Sequence, residues 1–180
     1  MGKNTVVISS TLRKNGNSQI LAKEFVRAAK DAGNNVEFIS LIDKEIKFCK
    51  GCLACQKTQK CVISDDSNKI VEKMKNADVI VFASPIYYYE MSGQLKTLLD
   101  RANPLFTSDY KFRDIYFLAS AADSDIHAID TALNGIKGWI SCFAKAKLKG
   151  SFLLAGVEGQ NEALNRKQDL AKVYEIGKNI

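Results

Sequence analysis

Short apolar runs alternate with longer amphipathic stretches along this chain, and the rhythm repeats five times. "NTVVIS" (4–9) is a β-branched apolar run that predicts a buried strand. The stretch 17–33 follows, with Ile20, Leu21, Phe25, Ala28 and Ala29 on one helical face and Gly33 as the stop. "NVEFISL" (35–41) alternates as a second strand. "DDSNKIVEKMKNA" opens on acidic and capping residues and then places Ile70, Val71 and Met74 at helical spacing. "DVIVFASP" (78–85) is an almost unbroken apolar strand, the pattern of a sheet covered on both faces. A helix over 92–102, a strand over 114–122, a helix over 127–146, a strand over 150–157 and a final helix over 161–180 complete the pattern.

This alternation predicts a parallel sheet with helices on both faces. Five such units give a three-layer, doubly wound α/β fold of the flavodoxin-like kind, a five-stranded parallel sheet in the order 2-1-3-4-5, formed by a single domain over 1–180. Ligands of such sheets bind beyond the carboxyl ends of the strands, at the topological switch point. The loops that matter are therefore 9–18, 84–93 and 119–125, with the loop after the second strand on the same edge.

Composition narrows the classes. Apolar residues make up 46% of the 180 positions and there are two prolines, so the chain folds compactly rather than staying disordered. No apolar run approaches the about 20 residues that span a bilayer, and the start of the chain lacks the apolar run of a signal peptide. A cytoplasmic protein with no membrane partner is expected, with thiols kept reduced. The net charge of +6 is spread over scattered lysines, the densest group being "KAKLKG" (145–150). It predicts a solvated surface and anionic cofactors rather than nucleic acid.

The loop "SSTLRKNGNS" joins the first strand to the first helix. Its hydroxyls (Ser9, Ser10, Thr11), Arg13, Gly16 and the Asn17-Ser18 pair stand where a helix N-terminus offers free N–H groups to a phosphate. The plainer alternative is a polar turn capped by Asn17. No G-x-G-x-x-G or P-loop motif is present. After the third strand, Ser84 and Pro85 lead into Ile86, Tyr87 and Tyr88, then Met91, Ser92 and Gly93, a rigid apolar platform for a flat ring. The single histidine, His127, reads as a surface or capping residue, and Cys142 in an apolar helical run as a buried small hydrophobe.

Both loops resemble those of NADPH-dependent FMN reductases and related flavodoxin-like oxidoreductases. The first is similar to G-S-P-R-x-x-G-N-T, with Ser10, Thr11 and Leu12 replacing the usual Gly, Ser and Pro. The second, Ala83 to Arg101, is similar to G-S-P-[IV]-Y-x-x-x-[MV]-S-G-x-L-K-x-x-x-D-R. The resemblance implies that Ser10, Thr11, Arg13, Asn17 and Ser18 hold an FMN phosphate. It implies that Ser84, Pro85, Ile86, Tyr87, Tyr88, Met91 and Ser92 border the isoalloxazine, with Ser120 and Ala121 of "SAAD" at a third contact. It further implies a homodimer that takes hydride from NAD(P)H and passes electrons to a small molecule or protein, without a side-chain acid or base.

Four of the five cysteines, Cys49, Cys52, Cys55 and Cys61, fall within the fourteen residues 48–61 with spacing C-x2-C-x2-C-x5-C. Closely spaced thiols of this kind suit a 4Fe-4S cluster better than structural zinc or disulfides. The stretch, with the following "CVISDD", also resembles the cysteine motif of iron–sulfur flavoproteins, and similar loops occur in plain FMN reductases. Three readings follow: an FMN-dependent NAD(P)H oxidoreductase, an iron–sulfur flavoprotein carrying electrons between proteins, and a flavodoxin-fold binding module without turnover. The intact Arg13 and Ser-Pro-Ile-Tyr loops speak against the third.

Overall fold

A computed structural model describes residues 2–180. The chain runs β1 (Asn4–Ser9), α1 (Asn17–Asp31), β2 (Asn35–Ser40), α2 (Ala54–Thr58), α3 (Asp66–Asn76), β3 (Val79–Tyr87), β4 (Glu90–Met91), α4 (Gly93–Arg101), β5 (Asp114–Ser120), α5 (Asp130–Ser141), β6 (Lys147–Leu154) and α6 (Lys167–Lys178). The parallel strands lie in the order β2-β1-β3-β5-β6. Counted by themselves, these five follow the predicted 2-1-3-4-5 order. The sheet has a sixth member, because β4 folds back antiparallel on β3 and pairs Ile86 with Met91 and Tyr87 with Glu90.

Alternation along the strands divides the core in two. Ile8, Phe82 and Phe117 face the side covered by α3, α4 and α5, where Met74, Leu95, Leu98 and Ile136 pack. Val7, Val81 and Leu118 face α1 and α6, against Leu21, Phe25 and Val173. Both faces are covered, which is why β3 reads as a continuous apolar run.

Several boundaries differ from the expectation. The last strand is Lys147–Leu154 rather than 150–157. Lys147, Lys149 and Ser151 are its exposed positions, so part of the densest lysine group lies on an edge strand, where charge discourages pairing with another chain. The helix expected over 127–146 is a 3₁₀ turn at Ile126–Ile129 followed by α5. Cys142 is exposed, not buried. The buried stripe of α5 runs through Ala132, Ile136 and Ile140. Position 142 lies two residues past it, on the far side of a helix that turns about 100° per residue. Gly33 does terminate α1, with φ +84° just beyond the cap. His127 is exposed, with Nδ1 3.0 Å from Asp130 Oδ2, as expected of a surface residue.

Candidate functional site

The loop from β1 to α1 is built by local contacts. Thr11 Oγ1 accepts from the Arg13 amide at 3.2 Å, and the Gly16 amide donates to the Arg13 carbonyl at 3.0 Å. Only glycine fits at position 16, because a Cβ there would lie 2.7 Å from Thr11 Oγ1. The N-cap of α1 is Gly16 rather than Asn17, so no side chain caps this end, and its first turn holds no acidic residue. Ser18, fully buried in that turn, has a hydroxyl with no hydrogen-bond partner. A buried hydroxyl without a partner is costly and calls for an explanation.

A cavity of about 210 Å³ opens at this point. Thr11, Arg13, Asn17 and Ser18 form one wall, and Pro85, Ile86, Tyr87 and Ser120 another. The structure thus gathers eight of the expected residues from three loops. It adds Gly16, Ala122 and, from the loop after β6, Val157, Glu158 and Gly159. That last loop carries no motif; its only sequence signal is the pair of glycines in "AGVEGQ". Asn17 serves it as a brace, donating to the Gly159 carbonyl at 2.8 Å and accepting from the Ala163 amide at 3.0 Å. Arg13 NH1 donates to the Glu158 carbonyl at 2.8 Å, which orients the guanidinium.

Ser10, Ser84 and Ser92 lie behind the cavity rather than on it. All three are fully buried. Ser92 Oγ donates to Ser10 Oγ at 2.8 Å, Ser10 Oγ to the Ala83 carbonyl at 3.2 Å, and the Ser92 amide to Ser84 Oγ at 2.9 Å. Ser92 also caps α4. The network ties the first loop to the β3–α4 connection. Met91 and Ala121 are buried beside it, outside the cavity lining.

Tyr88 and Tyr89 form the two-residue turn between β3 and β4, both left-handed with φ of 50° and 65°. Such hairpin turns normally use Asn-Gly, so two tyrosines store strain here. Tyr88 is completely exposed, away from the cavity lining. Tyr89 donates its hydroxyl to Asp123 Oδ2 at 3.1 Å, linking the hairpin to the loop after β5.

The cysteine loop hangs from one buried ion pair. Arg101, at the end of α4, donates to both carboxylate oxygens of Asp65 (2.5 and 3.1 Å), to the Lys47 carbonyl (2.7 Å) and to the Ile63 carbonyl (3.0 Å). Asp65 in turn accepts from the Lys47 and Ser67 amides, capping α3. Burial acts to raise the Asp65 pKa, but the Arg101, Ser67 and Lys47 hydrogen bonds outweigh it and hold it at about 2. Cys49 and Cys52 face solvent, Cys61 is half-buried, and Cys55 is buried with its sulfur accepting from Asn103 Nδ2 at 3.1 Å. Among the described residues no three cysteine, histidine or carboxylate side chains converge as metal ligands, so in this conformation the thiols do not fit a cluster.

A doubly wound sheet with an uncapped helix N-terminus, a cation and a flat apolar wall at its carboxyl edge is the geometry of a nucleotide-type cofactor site. The family profile described as NADPH-dependent FMN reductase matches residues 4–156, and the chain belongs to that family. An iron–sulfur flavoprotein from Methanocaldococcus jannaschii is 46% identical over 98 residues, covering 54% of this chain and 51% of the relative. One from Archaeoglobus fulgidus is 39% identical over 101 residues, 56% of this chain and 50% of the relative. The chain thus spans about half the length of these curated relatives. Among solved structures, an NAD(P)H:quinone oxidoreductase from Methanothermobacter marburgensis superposes with a TM-score of 0.79 at 16% identity, covering 99% of this chain and 96% of that one. The azoreductase AzrA superposes at 0.72 with 14% identity, covering 98% of this chain and 100% of that one. At these identities the likeness is one of fold.

Proposed function

We propose that the chain is an FMN-dependent NAD(P)H oxidoreductase that passes electrons from a nicotinamide nucleotide to an acceptor. The observation that carries this reading is the partnerless, buried Ser18 hydroxyl at the uncapped start of α1. A phosphate ester is an acceptor with the charge and the lone pairs that this corner lacks. In this reading Thr11, Arg13 and Ser18 hold the phosphate and Asn17 braces the loop that closes over it. Pro85, Ile86 and Tyr87 support one face of the ring system, while Ser120 and Ala122 border its edge. Ser10, Ser84 and Ser92 act through the backbone that they fix.

Bound FMN supplies the redox chemistry, taking up hydride and releasing electrons to the acceptor. The protein's own work is to orient the ring and to exclude water from it. Tyr87 is exposed at the cavity, and Leu12 and Tyr88 are exposed on the loops that carry its lining residues, apolar surface that suits coverage by a second copy in a homodimer. The reading extends to a single domain working in the cytoplasm, with a small-molecule or protein acceptor and no nucleic-acid or membrane partner. Among the described residues no helix is long and apolar enough to cross a membrane.

One further reading rests on a specific observation. Four cysteines share a loop clamped at its base, and relatives sharing 46% and 39% identity are named iron–sulfur flavoproteins. A 4Fe-4S cluster would require that loop to rearrange so that the thiols converge. The deciding experiment is aerobic and anaerobic purification with flavin, iron and sulfide assays, followed by NADH and NADPH oxidation with added acceptors. One FMN per chain with nicotinamide oxidation supports the first reading. About four irons per chain supports the second. Protein that takes up no FMN and oxidises neither nucleotide overturns both.

A further inference from the structure

The residues 48–62 carry every clustered cysteine, yet their conformation is set from outside. Helix α2 within the loop is five residues long, too short to hold itself. Gly51, Leu53 and Gln59 are left-handed, two of them without the freedom of glycine. At the tip, Gln59 Nε2 donates to the Thr107 carbonyl at 3.0 Å and Thr107 Oγ1 to the Gln56 carbonyl at 3.1 Å. At the base, one guanidinium bonds the Lys47 carbonyl before the loop and both Ile63 and Asp65 after it. Arg101 and Asp65 side chains are fully buried.

We propose that Arg101 is the positioning residue of the thiol loop: by joining Lys47 to Ile63 and Asp65, it closes the base of 48–62 and sets which cysteines face solvent. The planar guanidinium is required because four acceptor oxygens on three residues must be met at once. A lysine ammonium keeps the charge opposite Asp65 but offers no fork. With Arg101 in place, Cys55 is drawn inward onto Asn103 and Cys61 is held half-buried, while Cys49 and Cys52 stay open. The thiols are thus presented in a fixed order of accessibility whether or not they bind a metal. Nothing in this assignment depends on flavin.

The test is site-resolved labelling of the reduced, full-length chain with an aromatic disulfide reagent, read by mass spectrometry, with Trp139 fluorescence as the check on folding. Trp139 packs against Phe82, Phe112 and Phe143, far from the loop in sequence. In the native protein Cys49, Cys52 and Cys142 react first and Cys55 last. Arg101→Lys is expected to speed Cys55 and Cys61 labelling on the order of tenfold, because local opening of the loop becomes easier, with Trp139 emission unchanged. Asp65→Asn, which keeps the shape but not the charge, should do the same. Unchanged Cys55 and Cys61 rates in the two variants would overturn the assignment. So would variants that both lose the native Trp139 signal, since the pair would then be a general stabiliser of the fold.

Discussion

Asp65 is the carboxylate on which most rests. Its neighbours hold its pKa at about 2, below the ordinary carboxylate value of about 3.9. A lowered folded-state pKa contributes stability that is fully present above the unfolded value. That contribution is lost as pH falls from about 4 towards 2, and amounts to about 2 kcal/mol. Urea unfolding at pH 6 and pH 3 should therefore show an acid loss that Asp65→Asn largely removes, at the cost of lower stability at pH 6. An equal loss in the variant would place the acid sensitivity elsewhere. At this scale the sequence was a good guide where chemistry is local. Thr11, Arg13, Ser18 and Pro85 to Tyr87 reach the cavity because a loop after a parallel strand has one edge on which to end. It was a poor guide where partners are distant. Asp65 and Arg101 both lie in recognisable motifs, but nothing in a spacing of 36 residues announces that they meet. Ser10, Ser84 and Ser92 look like ligands by type and are wall supports by burial.

Among the elements, the β3–β4 hairpin departs most from expectation. Its turn consists of Tyr88 and Tyr89 where glycine or asparagine would relieve the backbone, so residue type gave no turn signal. Replacing the fully exposed Tyr88 by Asn should raise stability by about 1 kcal/mol, since asparagine tolerates the left-handed conformation better. Thermal unfolding checks this, and a fall in midpoint would mean that the ring makes contacts that compensate the strain. Most other elements were legible because apolar spacing distinguishes strand from helix, although α2 was not anticipated and α6 begins at Lys167 rather than at 161. The ends of β6 were not legible either. Its first residues alternate lysine with leucine and glycine on a sheet edge, and a charged edge looks like a loop.

For the whole molecule, doubly wound topology gathers Arg13, Ser18, Pro85 and Ser120 from distant parts of the chain onto one edge. The same topology brings the 157–159 loop over the start of α1, closing the cavity with residues that no motif marks. The cysteine loop is attached to this frame through α4, whose N-terminus is capped by Ser92 and whose C-terminus holds Arg101. One helix therefore borders both candidate centres.

On this reading the start of α1 holds a phosphate ester. The most direct measurement is a pair of fluorescence titrations, FMN against riboflavin, on the wild type and on Arg13→Ala. The two ligands share a ring and differ in the phosphate. Several charge-assisted hydrogen bonds predict FMN binding tighter than riboflavin on the order of 100-fold. Arg13→Ala should reduce that preference by about tenfold or more, leaving riboflavin affinity nearly unchanged. Equal affinity of the wild type for both ligands would mean that the start of α1 holds no phosphate.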